Sequence, residues 1–306
     1  MLVLEGEHPV AKLAFTPDGT RLVVARANYY PPEVWPSEVR SLATGECLRL
    51  WTQKTKCYPA LTVHPSGRLA FFAYGHSISI YATEHLLSVV SLADGTGRSV
   101  GGHFADDVVA SPDGKWVVTS GGNPRAFVGY RCDPEAKTVC TENWRAESHV
   151  VSERLGGFVG SGDRFATVGG YRIVVRDTET GEVRATARHS SPDVGGLVTS
   201  PDGGLLAGQS GTQFYVWDTA TWEKRLQLPT ENRPFASYAF HPTRPILAVI
   251  QSGQTLIKYL DVNTGAITRK FRWKLGEMRA VCFSPDGTLA AAGAANGKIV
   301  VWDVDE

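Results

Sequence analysis

Short apolar runs alternate with short polar turns along the chain, and the same pair of runs keeps returning around the same turn. VAKLAF (10–15), FASYAF (235–240) and MRAVCF (278–283) each lead into a polar tetrapeptide, while RLVVA (21–25), KWVVT (115–119) and TLAAAG (288–293) each follow one. β-Branched and aromatic residues fill the runs and no stretch sustains a helical period, so the runs predict strands. The tetrapeptide has the form S/T/H-P-D/S-G. Its Pro fixes φ and its Gly takes a conformation other residues resist, which predicts a tight turn between antiparallel strands.

TPDG at 16, HPSG at 64 and SPDG at 111, 200 and 284 are clear copies; HPTR at 241 is looser and GSGD at 160 fits by position. Successive starts differ by 48, 47, 49, 40, 41 and 43 residues, implying seven units. Later in each unit a third strand ends in a D-x-x-T-G-type turn, as in IVVRDTETGEVRAT, FYVWDTATWEKRLQL, IKYLDVNTGAITRKF and EVRSLATGECLRLW, and passes to a fourth, more polar strand. Four antiparallel strands on a period of about forty residues suit a propeller blade, whereas other repeats of that length are helical.

The predicted fold is therefore all-β: a seven-bladed β-propeller of four-stranded antiparallel blades, a single unit over 1–306. Its approximate blades are 8–51, 57–100, 104–144, 149–187, 193–229, 234–272, and 277–306 plus 2–6. The last unit stops at WDVDE after its third strand, and LVLEG (2–6) is a lone strand before the first. The N-terminal strand is expected to pair into the last blade, which closes the ring and leaves it no open seam.

Trp217-Asp218 and Trp302-Asp303 stand where third strands end, with Arg176-Asp177 and Leu260-Asp261 as degenerate versions. On these residues and the repeat, the chain resembles the WD-repeat (WD40-like) β-propeller family over essentially its whole length. The resemblance implies a non-catalytic scaffold that binds another macromolecule. That family's hydrogen-bonded tetrad of Asp, His, Ser/Thr and Trp is nowhere complete, since the Asp position holds Asn296 in blade 7, Gly211 in blade 5 and Gly170 in blade 4. Blade rigidity is expected to come mainly from apolar packing.

Charge narrows the reading. Lys+Arg and Asp+Glu both number 31, so no basic field draws nucleic acid to the whole surface and recognition must be local. The start MLVLEGEHPV carries no export signal and no apolar window is long enough to span a membrane, which predicts a soluble, cytoplasmic protein. Cys47, Cys57, Cys132, Cys140 and Cys282 are odd in number and scattered, which predicts reduced thiols; Cys132 and Cys140 are expected to face each other across a hairpin as free thiols.

Candidate chemistry is sparse. His8, His103, His149 and His189 precede first strands but lack the convergent spacing of metal ligands, so they are read as structural. The Gly-rich pieces at 120–122, 168–170 and 193–196 lack the phosphate-loop pattern and a following helix. Asp177, Asp218 and Asp261 are read as turn formers. No catalytic, cofactor-binding or metal-binding residue is assigned. The alternative is an enzyme of hydrolase or lyase type with a site in the central channel.

The three early units are longer, and in the first the surplus falls between the second and third strands as RANYYPPEVWPSE (26–38). Tyr29, Tyr30 and Trp35 there stand among Pro31, Pro32 and Pro36, rigid aromatics of the kind that anchor interfaces. In the second unit the surplus covers 75–87, or else ISIY (78–81) is itself the third strand. In WD-like propellers such loops emerge on the face of the inter-blade connections. That face is expected also to show Tyr58, Phe104, Trp144, Arg145, Arg233, Phe235, Trp273 and Arg279, and to bind a protein or peptide, with the closed ring monomeric.

Overall fold

The computed structural model describes residues 1–26, 34–54, 59–74, 87–100, 105–122, 124–133, 140–148, 150 and 152–306, with the backbone alone at 34, 35, 49–54, 59 and 74. Among the described residues every regular element is a β-strand, and the strands form seven four-stranded antiparallel sheets. The first strands of the sheets are Val10–Phe15, Pro59–Val63, Asp107–Ala110, Arg154–Val159, Gly195–Thr199, Phe235–Phe240 and Met278–Phe283. Each touches the next and the last touches the first, so the sheets stand radially as the blades of a propeller around a channel.

Burial explains the strand order. The second strand of blade 3, Trp116–Gly121, is buried throughout because neighbouring blades cover both of its faces. The fourth strand of blade 4, Val183–Arg188, lies at the rim and is almost entirely exposed, which accounts for its sequence VRATAR. Hydrophobic clusters therefore lie between adjacent blades; Val10, Leu22 and Val24 of blade 1 pack against Ile299 and Val301 of blade 7 in one of them.

Ring closure follows the expected pairing. Leu2–Leu4 joins the outer side of Ile299–Asp303, with Leu2 opposite Val301 and Leu4 opposite Ile299. A buried polar contact reinforces the seam: Arg26 forms a fork with Glu38 (3.0 and 3.1 Å) and donates across to Gly297 O (3.1 Å) and to His8 O. Burial opposes ionisation of Glu38, but Arg26 and Arg40 beside it outweigh that and hold its carboxyl below the usual range.

The repeated turn works as its composition suggests. Ser111, Ser200 and Ser284 each donate to the Asp two residues on (2.6, 2.5 and 2.5 Å), and Gly114, Gly203 and Gly287 close their turns at positive φ. In HPSG and HPTR the first residue is histidine, and its longer side chain reaches the next blade: His64 Nε2 contacts Gly114 O (2.6 Å) and His241 Nε2 contacts Gly287 O (3.0 Å).

His241 gives a pH prediction. Its Nδ1 accepts from the Thr243 and Arg244 amides (3.1 and 3.0 Å), so Nε2–H is the donor and the ring is neutral. Burial lowers its pKa from the ordinary 6.5. The unfolded chain then binds the proton first, so this contribution to stability is intact above pH 6.5 and is lost as pH falls from there through the folded-state pKa. The melting temperature is expected to drop on acidification below neutrality and to drop less in His241→Gln. Parallel melting curves for the two proteins would contradict this.

Two expectations need correction. The third strand of blade 1 is Val34–Ser41, so Trp35 and Pro36 are strand residues facing Gln53 and Thr52 in register, and the connection shrinks to 27–33. The outer hairpin there is longer than its inner neighbour, which is where part of the surplus went. In blade 2 the third strand is Leu87–Ser91, which agrees to one residue with a surplus over 75–87 and sets the ISIY alternative aside; 75–86 lie outside the described residues. Cys132 and Cys140 do face each other across a hairpin, but they form a disulfide rather than free thiols, because direct cross-strand register brings their Cα atoms within 4.2 Å.

Candidate functional site

Antiparallel pairing puts the ends of second and fourth strands, and the starts of first and third strands, at one edge of every blade. Second-to-third turns and inter-blade connections therefore share a face, at whose centre the channel opens. A cavity of about 220 Å³ lies in that channel, lined among others by Lys12, Asp107, Arg154, Gln209, Ser237 and Tyr238. Lys12 comes from the first strand of blade 1, Asp107 from that of blade 3 and Arg154 from that of blade 4. Burial pushes the Asp107 carboxyl up to about 6, while the charges of Lys12 and Arg125 pull the other way. Among the described residues no group of three or more His, Cys, Asp or Glu side chains is placed to hold a metal ion.

Blade 4 places exposed cationic and aromatic side chains on this face. Tyr171 occupies the second-to-third turn and is 57% exposed. Arg172 opens the third strand and Arg188 closes the fourth, directly opposite each other in register and both exposed. Arg154 opens the first strand of the same blade at the channel mouth.

The family description "WD domain, G-beta repeat" matches residues 268–303, the fourth strand of blade 6 and the first three of blade 7. The β-propeller domain of Myceliophteria thermophila Cps50 (Swd1) superposes over 99% of both chains with a TM-score of 0.77 at 15% identity. The chain is a seven-bladed β-propeller with a WD-repeat match over 268–303. Its curated relatives match partially. WD repeat-containing protein 90 of Xenopus tropicalis is 25% identical over 100 residues, 33% of this chain and 5% of that protein. The serine-threonine kinase receptor-associated protein of Gallus gallus is 29% identical over 133 residues, 43% of this chain and 36% of that one. Pre-mRNA-processing factor 19 homolog 2 of Arabidopsis thaliana is 31% identical over 91 residues, 30% and 17% respectively. The matched segments thus span well under two thirds of each relative's own length.

The propeller also shows what replaces the incomplete tetrad. In blade 4, Glu153 precedes the first strand, Thr167 lies in the second, and Arg176 stands where the family carries Trp. The Glu153 carboxylate accepts from Thr167, from Ser148 (2.5 Å) and from Arg176 Nη2 (3.3 and 3.4 Å), and Arg176 Nη1 donates to Gly181 O (3.1 Å). The guanidinium also lies over the Phe127 ring of blade 3, 5.0 Å from its centroid. Buried ion pairs in blades 1 and 4 therefore add to the apolar packing as a source of rigidity. In blade 7, Trp302 Nε1 donates to Tyr259 OH of blade 6 (3.1 Å), tying the two blades together.

Among the described residues, the sequence-predicted site residues do not form one patch. Tyr29, Tyr30, Tyr58 and Phe104 lie outside the described residues, and Trp35 belongs to a strand whose side chain there is not described. Trp144 and Arg145 are mid-strand rather than in a connection. The Trp144 ring lies against Gly129 and Gly181, where a Cβ would come within 2.1 and 2.5 Å of it, stacks on Phe165 at 5.7 Å and donates to Thr178 O (2.8 Å). It is a wedge between blades 3 and 4, and Arg145 is forked to Glu142 (3.1 Å). Phe235 is buried against Phe214 and Tyr238, because the first residue of an inner strand turns into the gap between blades. Trp273 is half-buried against Phe271 and Trp302. Arg279 is half-buried on the inner strand of blade 7, 4.0 Å from Glu277. Arg233 is exposed in the connection from blade 5 to blade 6, as expected.

What the sequence reading missed is Arg154, Arg172, Arg188 and Tyr171. Their signal was available in GGYR (169–172) and RH (188–189), but only strand register shows that Arg172 and Arg188 are neighbours.

Proposed function

We propose that this propeller is a non-catalytic scaffold that binds a protein or peptide on the face carrying the inter-blade connections and the 27–33 connection. The observation that carries the reading is the gathering on one face of an open channel mouth, exposed arginines and an exposed tyrosine, the residue types enriched at interface hot spots. Relatives of the same repeat type include one whose name describes association with a receptor, the serine-threonine kinase receptor-associated protein, and that supports interaction as the role. Among the described residues the cavity wall offers one carboxylate, Asp107, and a scaffold accounts for such a channel better than acid–base hydrolysis by a pair of acids does. A cytoplasmic setting and a monomeric ring are part of the same proposal.

Affinity capture from the native host, with wild type beside Tyr29→Ala/Tyr30→Ala/Trp35→Ala, tests the contribution of the blade 1 insertion. The expected result is a defined partner recovered by wild type and depleted at least several-fold by the triple variant, with melting temperature retained. Equal recovery would remove that insertion from the binding face.

A further inference from the structure

Two arginines directly opposite each other on neighbouring strands repel and destabilise the sheet unless something neutralises them. Arg172 and Arg188 are such a pair, and among the described residues neither has a carboxylate within ion-pair distance, although Arg184 on the same fourth strand is paired with Asp177 at 2.8 Å. Cross-strand partners point to the same side of the sheet, so both guanidiniums serve one spot. Arg154 and Lys12 likewise carry no ion pair among the described residues, and both line the channel cavity, where Asp107 offsets one of the two charges. The chain's net charge is zero, so this excess is a local feature of the blade 4 side of the face.

The spacing is informative. Arg154 begins the first strand, Arg172 the third, and Arg188 ends the fourth. Neighbouring strands lie about 4.8 Å apart, so the Arg172–Arg188 pair sits roughly 10 to 14 Å outward from Arg154. An extended peptide rises about 3.3 Å per residue, so acidic side chains three or four residues apart span that distance. Between the two cationic points, Tyr171 presents an exposed ring as an anchor for an apolar side chain of the same segment.

We propose that the blade 4 rim and the channel mouth together receive an extended acidic segment of a protein partner, with one carboxylate held between Arg172 and Arg188 and a second entering the channel toward Arg154 and Lys12. This rests on the reading of the connection-bearing face as a docking surface and adds the chemistry of what docks there. Local rather than global charge favours a peptide with a few placed carboxylates over a nucleic acid, whose affinity grows with the number of phosphates neutralised.

The test uses the full chain, a fluorescein-labelled peptide of alternating glutamate and serine, and the same peptide with glutamine for glutamate, read by fluorescence anisotropy. The glutamate peptide is expected to bind, to weaken with added salt, and to lose about tenfold or more in affinity in Arg172→Glu/Arg188→Glu and in Arg154→Glu. Single Arg172→Glu, which creates an ion pair with Arg188, is expected to lose peptide affinity while melting no lower than wild type, separating binding from folding. Equal binding of the glutamine peptide, unchanged affinity in the charge-reversed proteins, or equally tight binding of a single-stranded oligothymidine of matched charge would overturn the proposal. A host partner that survives these reversals but is lost with Tyr29→Ala/Tyr30→Ala/Trp35→Ala would overturn it too, while leaving the docking face in place.

Discussion

Arg176→Met is expected to destabilise the propeller by about 3 to 5 kcal/mol, because it leaves the Glu153 carboxylate buried without its counter-charge. Both side chains are almost wholly removed from solvent, 4% exposed for Arg176 and 0% for Glu153, so water cannot take over the lost contacts. The loss also removes the donor to Gly181 O in the third-to-fourth turn and the cation over Phe127 of the neighbouring blade. In a chain of this size the cost corresponds to a fall in melting temperature of roughly 5 to 10 °C. The double variant Glu153→Gln/Arg176→Met is expected to recover much of the loss, since a buried amide bonded to Thr167 and Ser148 costs far less than a bare carboxylate. Calorimetry of wild type and the two variants checks this. A double variant no more stable than Arg176→Met would show that the pair matters through shape rather than charge.

Removal of Met1–Leu4 is the second large effect expected. Leu4 is buried at 5% exposure beside Val10, Ile299 and Val301, and the three residues Leu2–Leu4 supply the outermost strand of blade 7. Losing Leu4 from that cluster costs about 2 kcal/mol, and loss of the strand pairing adds a comparable amount. The deletion also leaves Ile299–Asp303, an apolar strand, as a bare sheet edge that another chain can pair with. Lower thermal stability together with concentration-dependent association in size-exclusion chromatography is the expected result. Arg26, which bridges His8 and Gly297 inside the seam, keeps the blades joined, so the ring is weakened rather than unmade. A deleted protein that stays monomeric and melts with wild type would show that the closing strand is dispensable.

The two effects share a physical basis. Each blade is a small sheet that buries its faces only against its neighbours, so a contact between blades supports the whole ring. His64, His241, Trp144 and Trp302 each make a hydrogen bond to the adjacent blade. In the sequence these residues lie 34 to 50 positions from their partners. Nothing local marks them as ties, and two of them sit in turns that look merely like variants of S-P-D-G.

The candidate site shows the same limit. The aromatic residues chosen from sequence, Phe235, Trp144 and Trp273, turned out to fill gaps between blades, because a large ring near a strand end gains more by burial there than by facing water. Exposure is set by which side of a strand faces a neighbouring sheet, and in Phe235–Phe240 a register shift between Phe235 and Ser237 moves that choice within a single strand. The arginines of blade 4 were overlooked for the complementary reason: Arg172 and Arg188 are 16 residues apart in sequence and become a pair only through the third-to-fourth strand register.

By itself the sequence determined the period, the four strands of each unit, the turns built on Asp and Gly, and the ring of seven closed by its first strand. Those follow from local rules, since turn geometry and strand alternation are written in neighbouring residues. Tertiary structure alone decided which charges are buried and paired, which aromatic rings are wedges, that Cys132 meets Cys140 in a disulfide, and where unneutralised arginines collect on the face. Each of these depends on what a distant blade or strand places opposite, and the free energy of a charge or a ring is fixed by that neighbour rather than by the residues beside it in the chain.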